Sequence, residues 1–174
     1  MPAQNPTHQS RTRCLSPEDF AAPIEDRFFE DYIPGNVYEY GHLEVGEQEI
    51  IAFARQYDPQ TFHTDPRRAA DGPFGGLIAS GWHTAALCMR MFVDHYLSHV
   101  ASMASPGMDE LRWPRPVRPG DTLRFRATID SARVSKSKPD RGLVHTTAEL
   151  FNQDDQPVMS LKAMNFLRLR SAAT

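Results

Sequence analysis

The sequence predicts an α+β fold in which an antiparallel sheet wraps around one long central helix. Apolar residues recur at intervals of three and four from Ile78 to Val100, which predicts an amphipathic helix of about twenty residues. Four extended segments follow, and the segment Thr122–Val134 alternates apolar and polar residues as a half-buried strand does. A sheet with one apolar face can bury that face on such a helix.

Length and composition indicate one soluble globular domain. A chain of 174 residues, with 40% apolar and 24% charged residues, has room for a single core. The net charge of −3 does not suit a nucleic-acid partner, because phosphate-binding surfaces are strongly basic. Cofactor chemistry is not implied by any motif, and we expect neither a cofactor nor a metal.

The cysteine count and the apolar runs predict a cytoplasmic protein. Cys14 and Cys88 lie far apart in sequence, one in a polar tail and one in the long helix, so a disulfide framework is not expected. No apolar run reaches the roughly 18 residues that span a bilayer. The N-terminus also lacks the apolar core of a signal peptide.

The first half of the chain contains an arm, a strand and a helix. Residues 1–25 are polar and contain four prolines, which predicts a flexible or wrapping arm ahead of a domain at 26–174. Val37–Tyr40 is predicted as a short strand. Gly46 precedes a helical stripe that ends near Tyr57, because Pro59 disfavours helical geometry at the residue before it.

The second half supplies the long helix and the rest of the sheet. We expect the helix to bury the stripe formed by Ile78, Trp82, Ala85, Met89, Phe92, Tyr96 and Val100, and to expose His83, Arg90, Asp94 and Ser98. The strands predicted after the helix are Asp109–Val117, Thr122–Val134, Gly142–Phe151 and Pro157–Leu169.

Two motifs just before the long helix resemble those of a known enzyme family. One reads Asp58-Pro59-Gln60-Thr61-Phe62-His63-Thr64-Asp65, and the other reads Gly76-Leu77-Ile78-Ala79-Ser80-Gly81. Together they resemble the MaoC-like dehydratase, or (R)-specific enoyl-CoA hydratase, family. The chain departs from the family pattern in having Gln60-Thr61 for Asn-Pro and Ser80 where many hydratases have His.

The resemblance implies a single hotdog fold, an enzyme of the hydro-lyase class and a set of site residues. Asp58 and His63 match the acid and histidine of the family, and Gly81 matches the glycine whose amide faces the thioester oxygen. We also expect substrate contacts from Phe62, Ser80, Trp82, His83 and Gly76. The resemblance further implies an acyl-CoA thioester substrate and a homodimer that shares the CoA channel.

These residue types suit the addition of water to an enoyl thioester. An acid and a histidine can hold one water between them, and positioned acid–base groups contribute roughly 10²–10⁴-fold to a rate. An amide at the amino end of a helix favours the negative charge that develops on the thioester oxygen. Arg suits phosphate recognition, so Arg112, Arg115, Arg118 and Arg124 are candidates for the CoA phosphates.

Structural interpretations of the same residues remain open. An Asp before Pro is often a turn former, and Asp65 before Pro66 is typical of a helix cap. Polar packing explains His83 better than a place in the pocket wall does. The spacing of His63, Asp65 and His83 matches no zinc pattern.

Two other functions fit a hotdog fold. Related thioesterases carry an acid early in the central helix, whereas here no Asp or Glu follows Gly81 before Asp94. A subunit that binds acyl-CoA without turnover is the other alternative, and an intact acid–histidine pair argues against it.

Overall fold

The sheet consists of six strands in the part of the chain that this computed structural model describes, residues 14–172. Their order across the sheet is β1-β2-β4-β5-β6-β3. In chain order they are β1 (Cys14–Leu15), β2 (Val37–Glu44), β3 (Gly107–Arg112), β4 (Thr122–Val134), β5 (Arg141–Phe151) and β6 (Pro157–Arg168). Strands β1 and β2 are parallel, and the other pairs are antiparallel.

The α-helices lie between β2 and β3. They are α1 (Glu47–Tyr57), α2 (Thr61–Thr64), α3 (Pro66–Ala70) and α4 (Gly81–His95). Short 3-10 turns occur at Pro17–Asp19, Ile24–Asp26, Phe29–Asp31 and Arg170–Ala172. Within residues 14–172, none of these helices has the length and apolar character needed to cross a lipid bilayer.

The sheet packs its inward face on α4. Along β4 the buried residues alternate with partly exposed ones, and Leu123, Phe125 and Ile129 are fully buried. The ring of Phe92 on α4 meets the ring of Phe125 edge-on, with 5.6 Å between their centroids. The predicted α+β hotdog architecture is therefore confirmed.

The buried face of α4 differs from the predicted one. The helix buries His83, Thr84, Leu87, Cys88, Met91 and Phe92, whereas Trp82 is 61% exposed and Met89 and Val93 are also exposed. The prediction that Trp82 and Met89 belong to the buried stripe, and that His83 is exposed, was wrong. Apolar residues occur on almost every side of this helix, so its periodicity does not single out one face.

The central helix is also shorter than predicted, at 15 residues. Arg27 caps the end of this helix, since its guanidinium donates to the carbonyl oxygens of His95 and Tyr96 at 3.2 and 2.8 Å. Leu97 N–H then donates to Phe92 O, which closes the last turn. Ser98, expected on an exposed helix face, is buried beyond the helix end.

The N-terminal segment packs on the fold from Cys14 onward. Phe20 is buried and stacks on Tyr38, with 4.4 Å between ring centroids, and it meets Tyr32 edge-on. Residues 14–25 of the predicted arm thus lie against the core. Residues 1–13 of that arm are outside the described residues.

The predicted strands agree with the structure at their centres and differ at their ends. Strand β2 continues four residues past Tyr40, and β3 stops at Arg112 instead of reaching Val117. Pro114 and Pro116 explain the early end, because proline lacks the N–H that a strand ladder requires. The two-residue strand β1 was not predicted.

Candidate active site

Asp58 lies where α1 ends. Its N–H still donates to Ala54 O at 2.9 Å, but its backbone has left the helical region at φ −150° and ψ 68°. Pro59 follows it and disfavours another helical turn. Gln60 N–H then donates to Asp58 O at 2.7 Å, so the backbone turns tightly and directs the chain into α2.

His63 is buried and held by a backbone carbonyl. Its Nδ1 lies 2.8 Å from Ile78 O. Since a carbonyl oxygen can only accept, Nδ1 carries a hydrogen and the other ring nitrogen, Nε2, points elsewhere. Nε2 lies 3.4 Å from Oδ2 of Asp58. The neighbouring bond from Ile78 N–H to Phe62 O, at 3.1 Å, joins the same two segments.

Two side chains hold Asp58 as a carboxylate. Ser80 Oγ donates to its Oδ2 at 2.6 Å, and Gln60 Nε2 donates to its Oδ1 at 2.8 Å. These hydrogen bonds, that of Ser80 first, lower the pKa of Asp58 below its usual value. His63 contributes to the pKa in the same direction. Asp58 is therefore ionised at neutral pH.

Gly81 begins α4 beside this pair. Ser80 caps the helix by accepting from Trp82 N–H at 3.2 Å, while the N–H of Gly81 has no acceptor among residues 14–172. The indole of Trp113 covers Gly81 so closely that an added Cβ would lie 2.8 Å from Trp113 Cε2. Glycine is needed here because of this close approach.

A cleft of about 410 Å³ connects these groups to solvent. Its walls include His63 and Gly81, together with Phe62, Phe74, Thr84, Trp113 and Arg115. Asp58 lies beside His63 rather than in the wall, and a fifth of its side chain is exposed. The cleft therefore brings an imidazole, a carboxylate behind it and a helix amide to one location.

The five residues expected to contact substrate are in different surroundings. Phe62 lines the cleft, whereas Ser80 is fully buried behind it and bonds Asp58. Gly76 lies in the loop before α4, at φ +149° and against Arg118, and the exposed Trp82 meets Trp113 edge-on. His83 packs on α1, away from the cleft.

His83 instead joins α4 to α1. Its ring stacks on Phe53 with 4.8 Å between centroids, and its Nε2 lies 3.4 Å from Glu49 Oε1. Burial lowers the pKa of His83, and Glu49 opposes that effect. The polar-packing interpretation of His83 fits this position.

Sequence reasoning missed three residues of the site. Gln60 was interpreted only as a departure from the family pattern, yet its amide holds Asp58. Thr84 lies one turn into α4 and donates to Ser80 O at 3.3 Å. Trp113 covers Gly81 and was interpreted as part of a strand. Only the two prolines that follow Trp113, Pro114 and Pro116, could have indicated a loop there.

The other ionisable candidates have structural partners. Asp65 caps α3 by accepting from Arg67 N–H and Arg68 N–H, as expected. Arg124 pairs with Glu39 at 2.7 Å and with Asp155 at 2.5 Å, which removes it from the candidates for phosphate contacts. Within residues 14–172, no three His, Cys, Asp or Glu side chains are arranged to hold a metal ion.

Comparison with known proteins identifies the family of this chain. The family model described as MaoC like domain matches residues 29–149. YdeM, an uncharacterized protein of Bacillus subtilis, is 31% identical over 132 residues, covering 74% of this chain and 90% of that protein. The 3-hydroxyacyl-thioester dehydratase Z of Mycobacterium tuberculosis is 32% identical over 110 residues, covering 62% of this chain and 73% of that one.

A solved structure gives the same result for the fold. The MaoC-like dehydratase from Rhodospirillum rubrum superposes with a TM-score of 0.75 at 37% identity, covering 83% of this chain and 98% of that one. The region that the family model matches, residues 29–149, contains α1, the Asp58–His63 segment, α4 and most of the sheet. The chain belongs to the MaoC-like domain family of hydratases and dehydratases.

Proposed function

We propose that this protein adds water to, or removes it from, the double bond of an enoyl thioester of the acyl-CoA type. The observation that carries the proposal is the 3.4 Å approach of His63 Nε2 to Asp58 Oδ2. With Nδ1–H bound to Ile78 O, the imidazole in its neutral form presents a lone pair at Nε2. The ionised Asp58 also presents lone pairs, so two acceptors face each other.

Two converging acceptors suit one water molecule, which has two hydrogens to donate. In hydration, the oxygen of that water forms a bond to the β-carbon of the enoyl group. The Asp58–His63 pair takes one proton from the water and returns one to the α-carbon, so the atoms balance. Dehydration follows the same steps in reverse. Such acid–base groups contribute roughly 10²–10⁴-fold to the rate.

The amide of Gly81 completes the chemistry. Negative charge develops on the thioester oxygen when the β-carbon is attacked. The unpaired N–H of Gly81 can donate to that oxygen at the positive end of α4. A donor of this kind typically lowers the barrier by about 2.7–4 kcal/mol.

Hydration of crotonyl-CoA, monitored as the loss of its enoyl absorbance, tests the assignment. We expect Asp58→Asn and His63→Gln each to lower kcat by roughly 10²–10⁴-fold while the protein stays folded. Asp71→Asn, which changes an exposed carboxylate that does not line the cleft, is the matched control. Unchanged rates in both site variants would refute the proposed roles. Release of free CoA would instead favour a thioesterase.

We also propose a homodimer. Trp82, Met89, Met108 and Trp113 are large, apolar and exposed, and β3 has an unpaired outer edge in the described sheet. An apolar surface beside a free strand edge is typical of a protein interface. We expect a dimer mass by light scattering and a monomer for Met108→Glu. The exposed Val134→Glu, on β4, should remain dimeric. A monomeric wild type would contradict the proposal.

Arg115 is the strongest candidate for the CoA phosphates. It lines the cleft, its side chain is exposed, and its NH1 is 3.3 Å from Pro157 O. An arginine at a cleft mouth suits phosphate recognition. We expect Arg115→Ala to raise KM for crotonyl-CoA about tenfold with kcat retained, whereas the exposed Arg133→Ala should leave KM unchanged. Equal KM values would remove this assignment.

A further inference from the structure

A second cavity, the inner pocket, lies between α4 and the sheet. Its volume is about 180 Å³, and its walls include Ala85, Cys88, Phe92, Leu161, Ala163 and Asn165. No charged side chain of residues 14–172 lines it. Burial also raises the pKa of the Cys88 thiol to about 12, so that wall is neutral. The inner pocket therefore suits an uncharged and mostly apolar group.

Asn165 contributes a buried polar side chain to this mostly apolar pocket. It is 7% exposed and lies on the inward face of β6, between Ala163 and Leu167. Its Oδ1 is fully buried and has no hydrogen-bond partner within residues 14–172. An unpaired buried polar group destabilises a fold. A leucine would fill this position without that cost, so the amide indicates a ligand.

The inner pocket lies along the helix face that begins at Gly81. Ala85, Cys88 and Phe92 follow Gly81 by four, seven and eleven residues, which places all of them on one face of α4. With a rise of 1.5 Å per residue they lie about 6 to 16 Å beyond Gly81. If the thioester oxygen binds at Gly81, as the proposed function requires, an acyl chain extending along this face reaches Asn165.

We propose that the acyl chain of the substrate carries a hydroxyl group, beyond its reacting carbons, that pairs with Asn165. A hydroxyl can donate to Oδ1 and accept from Nδ2, and the match holds for either orientation of the amide. A plain alkyl chain leaves the carboxamide unpaired. A carboxylate would be buried without a cation. The inference rests on the proposed function and specifies its substrate class.

Paired substrates test this selectivity. Short- to medium-chain enoyl-CoA thioesters would be compared with counterparts that carry a hydroxyl on the last carbon. At the chain length that reaches Asn165, we expect kcat/KM to favour the hydroxylated member by roughly ten- to a hundredfold. Direct binding of the same pairs to Asp58→Asn, measured by calorimetry, removes turnover from the comparison and should show the same preference.

Two substitutions separate this role from a structural one. Asn165→Leu should abolish or invert the preference while leaving thermal stability equal or higher, because it removes an unpaired polar group. A residue that only stabilised the fold would lower the melting temperature instead. Ala163→Leu should fill the inner pocket and exclude longer chains of both kinds. Lys162→Leu, on the exposed side of β6, should do neither.

The outcomes distinguish the two proposals. Binding and turnover of thioesters with no preference for the hydroxylated member at any length would overturn this inference alone. The inference would also be overturned if Asn165→Leu left the ratio of kcat/KM for the hydroxylated and plain substrates unchanged. Failure to bind or hydrate any thioester would overturn the proposed function and this inference together.

Discussion

The hydroxyl of Ser80 donates to Oδ2 of Asp58 at 2.6 Å, and the same hydroxyl oxygen accepts from the N–H of Trp82. One buried side chain thus fixes the carboxylate and caps the amino end of α4. The relationship couples the two halves of the site, since Asp58 follows α1 and the Gly81 amide belongs to α4. A change at Ser80 should therefore affect both the ionisation of Asp58 and the position of the amino end of α4.

Ser80→Ala should raise the pKa of Asp58, because it removes the first of the hydrogen bonds that lower it. The acid limb of the kcat/KM profile should then move to higher pH. Loss of the cap should also cost about 1 kcal/mol of stability. Gln60→Leu removes the second hydrogen bond without touching the cap, so it should move the acid limb and cost less stability than Ser80→Ala. Unmoved acid limbs in both variants would contradict this account.

Gly81→Ala should destabilise the protein through Trp113. The new Cβ would lie 2.8 Å from the indole, so Trp113 must move, and overpacking of this kind typically costs about 1–3 kcal/mol. Denaturant unfolding measures the loss. In the double variant Gly81→Ala/Trp113→Ala the collision is absent, so adding Gly81→Ala to Trp113→Ala should cost little. An equal cost in both backgrounds would show that Trp113 is not responsible.

His83 should make the stability of the protein depend on pH. Its folded pKa is below the unfolded value of about 6.5, because burial disfavours the charged form. The unfolded chain then binds the proton more tightly than the folded protein does. The contribution of His83 to the free energy of unfolding is therefore complete above about pH 6.5 and is lost as the pH falls through the folded pKa. We expect the melting temperature of His83→Gln to fall less than that of the wild type between about pH 7 and pH 5.

The exposed His42 provides the matched control for that experiment. His42→Gln should retain the steep acid dependence of the wild type. If the melting temperatures of all three proteins fell equally with pH, the acid sensitivity would belong to other groups.

Arg27 should contribute far more to stability than Arg170. Both make several hydrogen bonds, but Arg27 is buried at the carbonyl end of α4 and lies 3.5 Å over the ring of Phe20, whereas Arg170 is exposed. Arg27→Met leaves buried carbonyls unpaired and should cost about 3 kcal/mol. Arg170→Met should cost less than about 1 kcal/mol, as exposed ion pairs do. Equal losses in denaturant unfolding would contradict this ranking.

The sequence allowed the order of the main elements and a candidate catalytic pair to be predicted. Pro59 after a helical stripe placed Asp58 at a helix end, and the alternation along β4 indicated a sheet with one buried face. These signals are local, because helix termination and strand alternation depend on neighbouring residues. The assignment of Asp58, His63 and Gly81 as catalytic remains a prediction.

Tertiary structure decided which side chains are buried and which of them meet, because local sequence signals do not contain that information. The exposure of Trp82, the burial of His83 and the roles of Gln60 and Trp113 all depend on segments that are distant in sequence. The face of α4 that packs on the sheet was undetermined by periodicity, since apolar residues occur on most sides of it. By itself the sequence determined where α1 ends and which face of β4 is buried, and it indicated the candidate catalytic residues. Packing between α1, α4 and the sheet determined which of them meet, because contact requires a common position in space.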